Sequence, residues 1–124
     1  MENRAASRIF ERPVFARARR VCLALPGAVE AVAWGHPAFR VGKKMFCTFE
    51  MIRGRPSIAC RAPLDAAKRL RGREDIFVTP YGRGLWVSVW VDSPVDSDEL
   101  AARIEQGYRI VAGKRMLQAL NGES

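Results

Sequence analysis

The chain holds a single histidine, His36, and only three cysteines in 124 residues. A zinc centre needs three or four ligands at suitable spacing, and one imidazole with three scattered thiols does not supply them. Cys22, Cys47 and Cys60 are odd in number, widely spaced and set among apolar neighbours. They read as reduced core residues, not as a disulfide framework or a nucleophile. His36, between Gly35 and Pro37, reads as a turn residue rather than a catalyst. No apolar run approaches the ~20 residues of a membrane span. Residues 1–12 lack the apolar stretch of a secretory signal, so a cytoplasmic location without membrane attachment is expected. Phosphate-binding glycine motifs are missing too. Gly82-Arg83-Gly84 has Val87 where a dinucleotide fingerprint needs its third glycine. The run from Gly107 to Lys114 has one residue too many for a phosphate loop, and Arg115 stands where Ser or Thr is required. The expectation is therefore a protein with no catalytic residues, no metal and no cofactor, and not an enzyme.

What is present is a core and a surplus of positive charge. Hydrophobic residues make up 48% of the chain, enough for one folded domain without cross-links. Residues 1–12 carry no strong periodicity and read as a loose lead-in to a single domain over 13–120. From Pro13, apolar residues at Val14, Phe15, Ala18, Val21, Cys22 and Leu25 have helical spacing, and Pro26-Gly27 ends the helix. Val29–Trp34 is a short β-rich segment. Phe39 and Val41 then alternate with polar or small neighbours up to Gly42-Lys43, which suits a two-residue type II′ hairpin turn. Beyond the turn, the spacing puts Met45, Cys47 and Phe49 on one face and Phe46, Thr48 and Glu50 on the other. Ser57–Arg61 is a further strand, and Pro63 opens a short helix.

Ile76–Thr79 and Leu85–Val91 are strands joined by a Pro-Gly turn. In the second, Leu85, Val87, Val89 and Val91 share one face and Trp86, Ser88 and Trp90 the other. Asp96 reads as the cap of a last helix, with Glu99 three residues on. Lys114 and Arg115 read as its basic end. The order predicts a two-layer α+β domain with one antiparallel sheet: helix, three strands, helix, two strands, helix.

Twenty-one Lys and Arg against thirteen Asp and Glu give a net charge of +8, which favours polyanionic partners. The basic residues recur at strand-to-strand turns: Lys43 and Lys44, Arg53 and Arg55, and Arg83, with Arg40 beside the first. Basic hairpin tips can reach phosphates of nucleic acid. Trp34, Trp86 and Trp90 add aromatic surface of the kind on which bases stack or partner proteins pack. Two classes therefore stay open. One is a nucleic-acid-binding module, largely non-specific and probed first with DNA. The other is a small dimeric protein-binding module using the Trp86/Trp90 sheet face.

Several segments, in order, resemble the MmcQ/YjbR family of small bacterial proteins. They are C-L-A-L-P-G-A (Cys22–Ala28), A-W-G-H-P-A-F-R-V-G-K-K-M-F (Ala33–Phe46) and S-I-A-C-R-A-P (Ser57–Pro63). G-L-W-V-S-V-W-V-D (Gly84–Asp92) and the final stretch from Asp98 to Lys114 complete the likeness. The resemblance implies a cytoplasmic YjbR-like α+β domain, a topology shared with secretion chaperones. It also implies DNA binding through a double wing, here the Gly42-Lys43 and Gly82–Gly84 hairpins. It brings no catalytic residues and no cofactor. One departure stands out: the family usually has Ser before the tyrosine of the last helix, where this chain has Gly107.

Overall fold

A computed structural model describes residues 8–122. Helix α1 (Pro13–Leu23) leads into four consecutive strands: β1 (Ala28–Ala33), β2 (His36–Val41), β3 (Lys44–Ile52) and β4 (Arg55–Arg61). A single helical turn, α2 (Ala66–Arg69), precedes β5 (Ile76–Val78) and β6 (Trp86–Trp90). Helices α3 (Ser97–Val111) and α4 (Lys114–Leu120) close the fold. The six strands form one antiparallel sheet in the order β1-β2-β3-β4-β6-β5. The buried residues of α1, α2 and α3 join one core cluster with one face of that sheet. The two-layer α+β class is as the sequence indicates.

Three details differ from the sequence-based reading. Ala28–Ala33 is a full edge strand paired residue for residue with β2, so four strands rather than three precede the first short helix. The last helix is two helices, because Ala112 and Gly113 are extended (ψ 142° and 169°). Lys114 and Arg115 thus open α4 instead of completing α3. Of the expected lead-in, residues 1–7 lie outside the described residues, while Phe10 packs edge-on against Phe15 with 5.1 Å between ring centroids and belongs to the core.

The turns follow local backbone chemistry. Gly42 has φ 62° while Lys43 stays in the ordinary region, as a type II′ turn requires. The β1–β2 and β3–β4 turns have positive φ at both central residues, Trp34-Gly35 and Arg53-Gly54, and are type I′. Pairing shifts from Phe39↔Cys47 to Arg40↔Met45, which leaves Phe46 as an extra residue in β3. This bulge corrects the simple alternation: Phe46, Cys47 and Phe49 all join the core, and Met45 turns to the other face with Thr48 and Glu50. Cys22, Cys47 and Cys60 are free and fully buried. Burial, reinforced by hydrogen bonds to the other two thiols, pushes the Cys47 thiol well above its ordinary value, so the cluster is packing material.

Helix α3 begins where the Asp96 carboxylate accepts hydrogen bonds from the backbone N–H groups of Asp98 and Glu99, at 3.0 and 3.1 Å. Its apolar stripe of Leu100, Ile104 and Tyr108 lies in the core above β3 and β4. Tyr108 meets Phe46 edge-to-face with centroids 5.5 Å apart, and its hydroxyl donates to the Pro26 carbonyl at 2.6 Å. One residue earlier, a Cβ placed on Gly107 would lie 2.9 Å from the Arg61 carbonyl oxygen and 3.0 Å from that of Phe46. Both are sheet backbone and cannot swing aside. Gly107 is therefore the point at which the helix touches the sheet. Gly107→Ala should destabilise the protein by about 1–3 kcal/mol in urea melts, because overpacking outweighs the gain of about 1 kcal/mol in helix propensity.

Candidate functional site

Register divides the basic turns between the two ends of the sheet. The Gly42-Lys43 turn and the loop after β5, which carries Arg83, lie at the end where Val41 pairs with Lys44 and Arg61 with Trp86. The Arg53-Gly54 turn lies at the opposite end with Trp34-Gly35. β3 has nine residues, so its two ends are about 27 Å apart. The two hairpins read as wings do share an end.

At that end the Lys43–Lys44 turn borders a hollow of about 370 Å³. Gly27, Val41, Val111, Gly113 and Met116 form the rest of its lining, with no carboxylate among them. Arg40 donates to the Gly42 carbonyl at 2.6 Å and braces the turn from below. Lys114 and Arg115 follow Gly113 directly in the chain. Among the described residues, Lys43, Lys44, Lys114 and Arg115 take part in no ion pair. The sequence reading placed Lys114 and Arg115 at the basic end of the last helix. The Ala112-Gly113 break, which sets Gly113 beside the turn, had a signal in the glycine itself.

Other arginines are engaged elsewhere. Arg55 grips the Asp92 carboxylate with two N–H groups, at 2.7 and 3.1 Å, and its guanidinium lies 4.0 Å from the centre of the Trp90 ring. Hydrogen bonding to Arg55 holds the Asp92 carboxyl below its ordinary value. Phe77 flanks Trp90 with 4.4 Å between centroids. Arg73 bridges Asp75, at the foot of β5, and Glu99, in the first turn of α3, and both carboxyls are lowered by it. Arg83 is exposed in its loop at φ 58°, and Arg53 is exposed at its tip with φ 52°. Trp90 is flanked by Phe77 and Arg55 and is half-buried, as is Trp86, and the exposed aromatic surface belongs to Trp34 and Tyr81.

Trp34 and Trp86 frame a second feature, on the sheet face away from the helices. Two adjoining hollows of about 440 and 320 Å³ share Trp34, Thr48, Glu50 and Tyr81 in their linings. His36 and Met51 border the first; Met45, Ala59 and Trp86 border the second. The loop after β5 folds over this face and seats Gly82 (φ 98°) so close to Trp86 that a Cβ would fall 2.6 Å from its ring. Only glycine fits there. Thr48 donates its hydroxyl to Glu50 Oε1 at 2.7 Å, while Glu50 Oε2 and His36 Nδ1 are buried without a partner. Desolvation raises the Glu50 carboxyl, opposed by the Thr48 hydrogen bond and by charge on His36. The sequence reading set His36 aside as a turn residue and put Glu50 on the right face without a role, because strand alternation gives a face but not the neighbours across it.

The YjbR family model matches residues 23–110, from the end of α1 to near the end of α3. A crystal structure of a Deinococcus radiodurans protein described by the family-model domain DUF419 is similar at 20% identity, with a TM-score of 0.66 over 86% of both chains. A Pseudomonas syringae protein is similar at 13% identity and a TM-score of 0.60, over 90% of this chain and 100% of that one. At such identities the likeness establishes the fold. No curated protein matches the chain. Among the described residues no helix is long and apolar enough to cross a membrane.

The raised carboxyl at Glu50 has a consequence for stability. An acid whose folded-state value lies above its unfolded one contributes stability below the unfolded value and loses it as pH rises through the folded value. Glu50→Gln should therefore gain stability relative to the native chain as pH rises from 4 to 7, measured by urea melts at both pH values.

Proposed function

The chain belongs to the YjbR family, and from that premise we propose that it binds the phosphate backbone of nucleic acid, DNA first, through the sheet end that carries Lys43 and Lys44. The supporting observation is a hollow with no carboxylate in its lining, bordered by Lys43 and Lys44 of the turn and by Gly113, the residue before Lys114-Arg115. Ammonium groups on a two-residue turn project beyond the sheet, where phosphate oxygens can approach without a clash of backbones. With no internal carboxylate to release, the whole Coulombic gain goes to the incoming anion.

Arg83 lies at the same end. The ends of the β2–β3 and β5–β6 connections are three strand spacings apart, about 14 Å, so one duplex can touch both. Arg40 contributes by holding the turn. Arg53, at the far end, adds long-range attraction, and Arg55 is committed to Asp92 and Trp90. The contacts carry no base readout, so binding is largely independent of sequence. A protein-clasping role for the Trp86/Trp90 face would need both rings free, and Trp90 is flanked by Arg55 and Phe77.

Fluorescence anisotropy with a labelled 20-base-pair duplex, across a salt series, tests the reading. Log affinity should fall linearly with log salt, and Lys43→Ala with Lys44→Ala should make the slope shallower by about 0.9 for each phosphate left unneutralised. Arg55→Gln should leave the slope unchanged. Absence of binding at low salt, or an unaltered slope in the double variant, rejects the proposal.

A further inference from the structure

We propose that the cleft between Trp34, Tyr81 and Trp86 binds a guanine-type base, held edge-on by the Glu50 carboxylate and flanked by the aromatic rings. This site lies on the open sheet face and shares the loop after β5 with the phosphate-binding end, but the inference does not rest on that end.

The cleft has the space for such a base. Each hollow, about 440 and 320 Å³, lies within the range usual for small-molecule sites, and they join across four shared residues. The rings around it are also free to receive one. Among the described residues, the ring–ring contacts at this face and its border are Phe77 with Trp90 and His36 with Phe10, and neither involves Trp34, Tyr81 or Trp86. Trp34, Tyr81 and Trp86 all border the cleft without packing on one another, which leaves room for a planar group against them. Trp34 is 90% exposed and sits at φ 50°, a conformation costly for a bulky residue in a turn that Asn or Asp would suit better. Nothing in the core repays that placement. A ligand stacked on the ring would.

The polar groups of the cleft narrow the choice of base. Glu50 Oε1 already accepts from Thr48, which fixes the carboxylate, and Oε2 is buried with no donor. Such a group asks for adjacent N–H donors on a flat frame. Guanine offers N1–H and its exocyclic amine side by side, whereas adenine presents an acceptor at that edge. His36 borders the same hollow, with its Nδ1 buried and unpartnered beside the carboxylate's strand. A guanidinium would match the carboxylate equally well, but a chain of net charge +8 repels cationic partners and attracts a base that carries phosphate.

Two sources of the base are separable: a free nucleoside or nucleotide, and an unpaired guanine within a strand. Tryptophan fluorescence quenching with guanosine, GMP, and a thymidine heptamer with one central guanine distinguishes them. Adenosine, AMP and the all-thymidine heptamer serve as references, and agmatine as the guanidinium probe. At least one guanine probe should bind about tenfold more tightly than its reference. Binding of guanosine indicates a free ligand as sufficient, and binding of the heptamer alone indicates a strand; either result supports the proposal. Glu50→Gln, with an unchanged far-UV spectrum, should lose about tenfold in guanine affinity, and Trp34→Ala should also weaken it. Lys43→Ala/Lys44→Ala should leave guanosine binding intact, which keeps this test apart from that of the phosphate site. Equal affinity for guanine and adenine probes, tighter binding of agmatine, no binding of any guanine probe, or indifference to Glu50→Gln would overturn it.

Discussion

Contact between the backbone of α3 and the backbone of β3 and β4 at Gly107 is the constraint on which the remaining structure depends. Only a residue without a Cβ lets the helix settle against the carbonyls of Phe46 and Arg61. That closeness brings Tyr108 down onto Phe46 and lets its hydroxyl reach the Pro26 carbonyl, across the start of β1. The chain then breaks at Ala112-Gly113, and Gly113 and Met116 line one hollow with the Gly42–Lys44 turn. Gly107 is therefore a position of packing and not of surface chemistry.

Much of this was legible in the sequence, for definite reasons. Val87 and Val89 alternate with Trp86, Ser88 and Trp90, and the sheet keeps those two faces apart. Gly42 announced its turn through its backbone freedom, and Asp96 its helix through a short acceptor in the right place. Phe46 was misplaced because a bulge changes the count of residues without changing their chemistry. The break at Gly113 escaped notice because a glycine inside an apolar stripe weakens a helix more often than it ends one. Glu50 and His36 come together only through pairing of strands, and no local pattern encodes that.

Charge shows the same difference between composition and arrangement. A net +8 describes the whole chain, yet Arg19, Arg55, Arg69, Arg73, Arg103 and Arg109 are matched with carboxylates. Such exposed pairs contribute little to stability, typically ~0–1 kcal/mol each, but they cancel charge locally. Part of the remaining excess lies at the Lys43–Lys44 turn, around a hollow whose lining holds no carboxylate. Residues such as Arg53 and Arg55, equal to Lys43 when read along the chain, differ from it once pairing and register are known.

The most direct test of this account is a map of backbone amide shifts by nuclear magnetic resonance as a fully paired duplex is added at low salt. The account predicts perturbations concentrated at Gly42–Lys44 and Gly113–Arg115, with Arg83 following and the Arg53 turn unmoved. Shifts centred on the Arg53 turn or on the Trp34–Glu50 cleft, with the Lys43 turn silent, would contradict it.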